Sequence, residues 1–379
     1  MKIFLLGTNI TTGGAQKVLL DLADWLYGQG VDVTAAFFYD RDNLYEEWKS
    51  QHAFSLICLD AWANTNNLVQ KALKLTKGWF KLLNILKQGT YTGILTFTHD
   101  SNILGLPAAW FAKVPLRYGS HHVRYPSLSR FKIFLHKWII NSRIATGLIA
   151  VSCFTKDQAI EEGIIEDKIK IIHNGIDTRL FSLKYADESQ PIKDKEKFII
   201  LAVGRLVEQK GHAYLIDSAP EVLQTFPNAY FYLAGDGPLF NTYQSRINDL
   251  GISERFVLLG NRKDIPKLLS KSDLFVFPSL YEGLPISLLE ALASGIPIIC
   301  SAIPAVTDII RDGQNGRLVP VCNSKALAEG IIELLNNEQL RIKFSVNSRK
   351  LVEESFSISN MGYNYMKLYE ENTNYANEA

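Results

Sequence analysis

Short apolar runs alternate with amphipathic stretches along nearly the whole chain, and they do so in two series. Residues 3–7 form the first run. Gly13 and Gly14 then turn the chain into a periodic stretch, Ala15 to Tyr27, with Val18, Leu19, Leu22 and Leu26 on one face. Gly28 and Gly30 stop it, and residues 31–38 form a second run. Further runs at 93–97, 116–119, 147–151 and 169–173 have helical patterns between them. Strands that are apolar throughout must be covered on both faces, and strands separated by helices pair in parallel through crossovers. The pattern therefore predicts an α/β fold with a doubly wound parallel sheet.

The segment 184–197, KYADESQPIKDKEK, breaks this order: it is charged, contains a proline and has no apolar period. A second series follows, with predicted strands at 198–203, 230–235, 256–260, 274–278 and 297–301. Helices are expected at 211–225, 238–250, 264–271, 285–294 and 324–337. At 379 residues the chain exceeds what one hydrophobic core holds. The expected organisation is a first domain over 1–183, a linker over 184–197, a second domain over 198–356 and a tail over 357–379. In the tail, Met361, Tyr365, Leu368 and Tyr369 fall at helical spacing and need a surface to bury them. Two such sheets place ligands at the carboxyl ends of their strands, in the cleft between facing domains.

Apolar residues make up 47% of the chain, which excludes disorder. The four cysteines, Cys58, Cys153, Cys300 and Cys322, have no partner at zinc-ligand spacing and are expected as buried free thiols in a reducing compartment. The opening apolar run is too short for a signal peptide, and no window is long enough for a membrane span, so a cytoplasmic protein is expected. The net charge of +1 is unevenly spread. Residues 1–180 hold 20 Lys/Arg against 15 Asp/Glu. Between Ala61 and Arg143 there are twelve basic residues, one acid (Asp100) and four of the six tryptophans. Residues 68–88 put Leu68, Ala72, Leu75, Trp79, Leu82 and Leu86 on one stripe amid lysines. Arg130, Lys132, Lys137 and Arg143 surround Phe131, Phe134, Leu135, Trp138 and Ile139. Such segments suit an anionic membrane surface, and they equally suit packing on the sheet with solvated lysines. No nucleic-acid recognition motif accompanies the charge.

The chemistry concentrates in the second half. Tyr281-Glu282-Gly283-Leu284-Pro285-Ile286-Ser287-Leu288-Leu289-Glu290 sets two glutamates eight apart, one before a turn and one on a helix. Pro285 suits a first helical turn, and the free N–H groups there suit an anion. Glu290 is flanked by small and apolar residues, an unusual setting for a solvated acid. Upstream, Gly204-Arg205-Leu206-Val207-Glu208-Gln209-Lys210-Gly211 follows a strand. It offers a planar fork and a mobile point charge to phosphate.

These runs resemble the family 4 retaining glycosyltransferases: the E-x7-E signature at Glu282 and Glu290, and the G-R-x-x-x-x-K-G loop at 204–211. Gly235-Asp236-Gly237-Pro238 resembles the family's G-x-G-P turn, His173-Asn174-Gly175-Ile176-Asp177 its N-G-(I/V)-D element, and Gly13-Gly14-Ala15 its N-terminal glycine turn. Five motifs stand in the family's order between residues 13 and 290.

The resemblance implies the GT-B fold, two facing Rossmann-like domains with the tail helix crossing back to the first. It implies a sugar moved from a nucleotide diphosphate, a UDP-sugar in the first place, to a hydroxyl acceptor with retention. The acceptor is expected to be a lipid-linked or envelope glycan, with no metal and no cofactor. Arg205 and Lys210 would hold the diphosphate. Glu290 would hold the ribose and Glu282 the transferred sugar. Backbone at Gly283 and Leu284 would reach phosphate or sugar, and the N–H of Gly14 the diphosphate. Arg262 in the 260–262 loop would face the base. His121 and, less directly, His99 end predicted strands and would meet the donor sugar; a structural role for either is the competing reading. Asp40-Arg41-Asp42 is formally D-x-D but lies among polar residues and reads as a solvated loop. A nucleotide-sugar epimerase, a phosphorylase and a non-catalytic sugar-binding protein share the expected shape. A nicotinamide dehydrogenase does not, because Gly7 and Gly13-Gly14 do not make G-x-G-x-x-G.

Overall fold

A computed structural model of the chain describes residues 1–62, 67–122, 129–181 and 197–378. The chain forms two compact units, Met1–Gly175 with Ile358–Ala379, and Ile176–Ser357. Most of the expected linker lies outside the described residues; only Lys197 falls within them.

The first unit carries seven parallel strands: β1 (Lys2–Ile10), β2 (Asp32–Asp40), β3 (Ser55–Cys58), β4 (Gly93–Phe97), β5 (Leu116–His121), β6 (Gly147–Ala150) and β7 (Ile169–Ile171). Their order is β3-β2-β1-β4-β5-β6-β7. The second unit carries β8 (Phe198–Val203), β9 (Ala229–Ala234), β10 (Phe256–Gly260), β11 (Leu274–Phe277), β12 (Ile298–Ser301) and β13 (Arg317–Val319), ordered β10-β9-β8-β11-β12-β13. Both are doubly wound sheets. The order reverses between β1 and β4 in one unit and between β8 and β11 in the other.

The apolar runs became these strands because each is buried on both faces: Ile3, Phe4, Leu5 and Leu6 are fully buried, as are Leu274 and Phe275. Strands β3 and β13 were not predicted. Each is short and mixes polar with apolar residues at the edge of its sheet, where one side needs no partner. The helix Glu338–Ser355 was also not predicted, because its buried face uses Arg341, Ser345 and Ser348 beside Phe344 and Val352. Arg341 is buried by donating to the carbonyls of Leu334 and Leu335, the end of the preceding helix.

The tail helix, Ile358–Glu378, belongs to the first unit, as the resemblance implied. Its apolar stripe finds its surface there. Trp25 of the helix Gly14–Gly28 meets Tyr363 edge-on at 4.9 Å, and Tyr118 of β5 meets Tyr369 at 5.9 Å. Gly93 of β4 is glycine because a Cβ there would collide with the Tyr369 ring. Within the N-G-I-D element, Gly175 N–H points at the Met361 sulfur (3.1 Å), and within the second unit Ile176 N–H donates to the Phe356 carbonyl (2.8 Å).

The cysteine expectation is corrected in part. Cys300 is buried, but Cys153 and Cys322 are exposed; all four are free thiols. Cys153 opens a helix at its solvent side and Cys322 sits in a turn with φ 59°, positions that its neighbours' apolarity does not reveal.

Tyr369→Ala removes a fully buried ring and is expected to cost about 3–5 kcal/mol. All six tryptophans lie in the first unit. Thermal unfolding followed by tryptophan fluorescence therefore reads this loss directly, and an unchanged melting point would mean that the tail helix does not hold that unit together.

Candidate active site

In the second unit the site is built on the two strands at which the sheet order reverses. The chain leaving β8 turns at Gly204 and Arg205, and Leu206 is held by the second βα loop: its N–H donates to the Asp236 carbonyl (2.9 Å), and its own carbonyl accepts from Leu239 (3.1 Å). The G-x-G-P turn packs under the first loop, and a side chain at Gly235 would strike the Gly204 carbonyl. A short 3-10 turn, Glu208–Lys210, then presents Lys210. Gly211 follows with φ 62°, in the left-handed region, and any Cβ there would collide with the Pro278 carbonyl. The loop leaving β11 is zipped to this one. Leu280 N–H donates to the Gln209 carbonyl (2.8 Å), and Gln209 Nε2 donates to the Tyr281 carbonyl (3.0 Å).

The result is an ion pair. Lys210 Nζ lies 2.6 Å from Glu282 Oε1, with side chains only 14% and 9% exposed. Lys210 also stands 5.6 Å from the centre of the Phe277 ring. Glu290, on the helix Ile286–Ala293, is buried too. Pro285 is the N-cap of that helix, one residue earlier than its expected place in the first turn; its ψ of 118° leads the chain in, and its ring supplies no cap to the N–H groups that follow. Gly283 and Leu284 are buried beside Glu282. Arg205 is exposed, and among the described residues its guanidinium has no ion-pair partner. Lys210, Glu282, Gly283 and Leu284 thus come together in the linked loops, with Arg205 on the same loop as Lys210. Arg262 stands apart from them in its contacts: its guanidinium forks onto Asp264 (2.7 and 2.8 Å), an exposed local pair.

In the first unit, Gly14 opens the helix Gly14–Gly28 directly after β1 and is exposed. Gln16 Nε2 reaches back to the Asn9 carbonyl (3.2 Å) and fixes that turn. After β4, Thr98 holds φ 81°, a strained value for a β-branched residue, and its hydroxyl meets that of Thr8 at 2.7 Å. That kink delivers His99. His121 ends β5, and the two rings meet edge-on at 4.9 Å. Both are buried, His121 to 1% exposure. Burial, with His99 beside it, pushes the His121 imidazole down to about 3, so it is neutral at physiological pH. Sequence reasoning did not single out His136 or Glu162, which complete this buried cluster. No motif marks them: His136 lies in a helix notable for its basic and aromatic residues, and Glu162 ends another. Asp40, of the formal D-x-D, caps a helix through the N–H groups of Leu44 and Tyr45.

Residues 12–180 match the family described as Glycosyltransferase Family 4, and residues 185–351 match Glycosyl transferases group 1. An Escherichia coli relative is 31% identical over 301 residues, 76% of this chain and 77% of its own: UDP-Gal:alpha-D-GlcNAc-diphosphoundecaprenol alpha-1,3-galactosyltransferase. The protein is a family 4 glycosyltransferase. A Campylobacter jejuni relative, N,N'-diacetylbacillosaminyl-diphospho-undecaprenol alpha-1,3-N-acetylgalactosaminyltransferase, is 29% identical over 78% of this chain and 81% of its own. Among solved structures, Anabaena HepE in complex with UDP and glucose superposes with a TM-score of 0.84, covering 98% of this glycosyltransferase and 100% of HepE at 22% identity. That likeness establishes the fold of each unit as the GT-B kind.

The two cations of the 204–211 loop are expected to separate in stability. Lys210→Ala strands a buried carboxylate and should cost about 3–5 kcal/mol. Arg205→Ala, at an exposed position, should stay within about 0.5 kcal/mol. Calorimetric unfolding of the two variants decides it: equal losses would mean that Lys210–Glu282 is not a structural pair.

Proposed function

We propose that this glycosyltransferase moves a sugar from a nucleotide diphosphate, UDP in the first place, to a hydroxyl of a lipid-linked glycan, with retention and without a metal. The observation that carries the donor assignment is the pairing of Lys210 with Glu282 on linked loops at the carboxyl ends of β8 and β11, with Arg205 left free on the same loop. A diphosphate leaving group gathers negative charge as the sugar departs. Arg205 and Lys210 offset that charge, and the N–H groups of the helix that Pro285 leads in add partial positive charge. When phosphate takes Lys210, the Glu282 carboxylate is released to the hydroxyls of the transferred sugar. Glu290 binds the ribose, and Arg262, freed from Asp264, faces the base. From the first unit, the N–H of Gly14 serves the diphosphate, and the neutral His121 imidazole, with His99 behind it, serves the sugar. The E. coli and C. jejuni relatives, named for diphosphoundecaprenol-linked acceptors, support a lipid-linked acceptor here.

The basic aromatic region supports docking on an anionic membrane. Its inner face is spent on the core: Leu82 and Leu86 are buried against Phe4, Leu6 and Phe38. Its outer face is apolar as well. Leu68, Val69, Leu73 and Phe80 of the helix Leu68–Gly89 are exposed, as are Phe131 (70%), Phe134 and Trp138 of the helix Arg130–Asn141. A hollow of roughly 310 Å³ lined by Phe134, Lys137, Trp138, Asn141 and Ser142 lies among them. Among the described residues no helix is long and apolar enough to cross a membrane.

Two measurements test this reading. In a thermal-shift panel of UDP, GDP, ADP and their sugar conjugates without metal, UDP species at 100 times Kd should stabilise by about 2.7 kcal/mol, and Arg205→Ala should abolish the shift. A flat panel with folded protein sinks the donor assignment. Vesicles containing phosphatidylglycerol at low salt should co-sediment the protein, and serine at Phe131, Phe134 and Trp138 together should release it; no sedimentation of the wild type removes the membrane surface from the proposal.

A further inference from the structure

The histidine cluster of the first unit holds two groups that the proposed transfer leaves without a task. Glu162 follows the helix Cys153–Glu161 with its side chain 1% exposed, and His136 is fully buried. Glu162 Oε2 stands 3.6 Å from His99 Nε2 and 3.9 Å from His136 Nδ1. Burial alone would push this carboxyl up, but the imidazoles of His136 and His99 beside it, with His121 behind, hold it well below the usual carboxylate range.

The proton positions follow from one amide. Asn102 Nδ2 donates to the Ser120 carbonyl (3.1 Å), and its Oδ1 accepts from the Thr96 hydroxyl (2.6 Å), so its orientation is fixed. The same Nδ2 lies 3.0 Å from His136 Nε2, which must therefore accept. In the neutral ring the proton then sits on Nδ1, the nitrogen that faces Glu162. His99 likewise turns Nε2 to the carboxylate. His99 Nε2 and His136 Nδ1 stand in ion-pair rather than hydrogen-bond reach of that carboxylate, and among the described residues neither ring nitrogen of His121, buried against His99, has a hydrogen-bond partner. A buried imidazole with two open nitrogens is costly unless something else comes to meet it.

We propose that Glu162 is a positioning residue, which fixes the Nε2–H tautomer and the orientation of His99 and thereby holds His121 with its nitrogens free for the hydroxyls of the donor sugar. The inference rests on the donor reading of His121 given above. The logic is that of a carboxylate orienting one imidazole, which in turn packs the group that touches substrate. His136, locked by Asn102, turns its Nδ1–H toward the same carboxylate at 3.9 Å and helps keep it ionised. The set is assembled from four separate elements: the start of the helix His99–Phe111 after β4, the end of β5, and the helices that follow β5 and β6.

Nitrogen-15 NMR of the imidazoles reads the tautomers in the wild-type protein, independently of activity. His136 is expected as Nδ1–H and His99 as Nε2–H; the reverse tautomer at His99 overturns the proposal even if every variant fails to fold. In transfer assays, Glu162→Gln should lower kcat by about tenfold to a hundredfold. KM for the nucleotide sugar should stay within a factor of about two, and Glu162→Asp should recover part of the rate. Unchanged kcat in Glu162→Gln overturns the proposal while leaving the transfer reading intact. Wild-type protein inert with every nucleotide sugar defeats the transfer reading instead, with the tautomers still as expected. The ligand atoms of His99, His121 and Glu162 lie within 4.8 Å of one another, so a divalent ion is the rival occupant. One equivalent of Zn2+ or Mn2+ retained by the wild type and lost in Glu162→Gln would overturn the positioning role in favour of a metal centre.

Discussion

Parallel pairing of β1 with β4, and of β8 with β11, is the constraint on which the candidate residues of each unit depend. At these neighbours the chain direction across the sheet reverses, so the helices that follow go to opposite faces. The loops leaving the two strands part company, and the backbone between them stays uncovered. Thr98, Gly14, Gly211 and Pro285 all stand at such strand ends. Their conformations are odd for local reasons and sensible for this one: Thr98 is strained with φ 81°, and Gly211 takes φ 62° under the Pro278 carbonyl.

Charge is handled differently in the two units. The second unit keeps a cation and an anion paired with little water around them, Lys210 on Glu282. Such a pair contributes little net stability, since desolvation nearly offsets the attraction, but it breaks at high cost when one partner is lost. In the proposed transfer an incoming phosphate would replace Glu282 as the partner of the cation, an exchange that such a pair suits better than it suits rigidity. The first unit does the reverse. It buries imidazoles, drives His121 neutral by burial, and keeps the Glu162 carboxyl ionised beside His99 and His136. Neutral donors and acceptors suit sugar hydroxyls, as a cation suits phosphate.

The basic aromatic region shows how one sequence pattern serves two surfaces. The stripe drawn through Leu68, Ala72, Leu75, Trp79, Leu82 and Leu86 splits in space. Its later half packs on the sheet, with Trp79 Nε1 donating to the Leu104 carbonyl (2.9 Å), while Leu68 and Ala72 are exposed. In the second helix, Ile139 turns inward, and Phe131, Phe134 and Trp138 turn outward. Some of the lysines are spoken for, Lys74 by Asp60 and Lys132 by Asp100, both in exposed pairs of small worth.

The sequence by itself determined the sheets. Runs apolar on both faces read as parallel strands, and all but the edge strands β3 and β13 fall within three residues of where the apolar runs place them. It also marked Arg205, Lys210, Glu282, Glu290 and Gly14, because glycines and charges at strand ends are costly choices that local patterning makes visible. It could not say that Lys210 and Glu282, 72 residues apart, meet at 2.6 Å, nor that Arg262 turns to Asp264. His136 and Glu162 left no trace in the pattern at all. Their significance comes from which nitrogen faces which oxygen, and only the packing of four elements around His99 and His121 decides that.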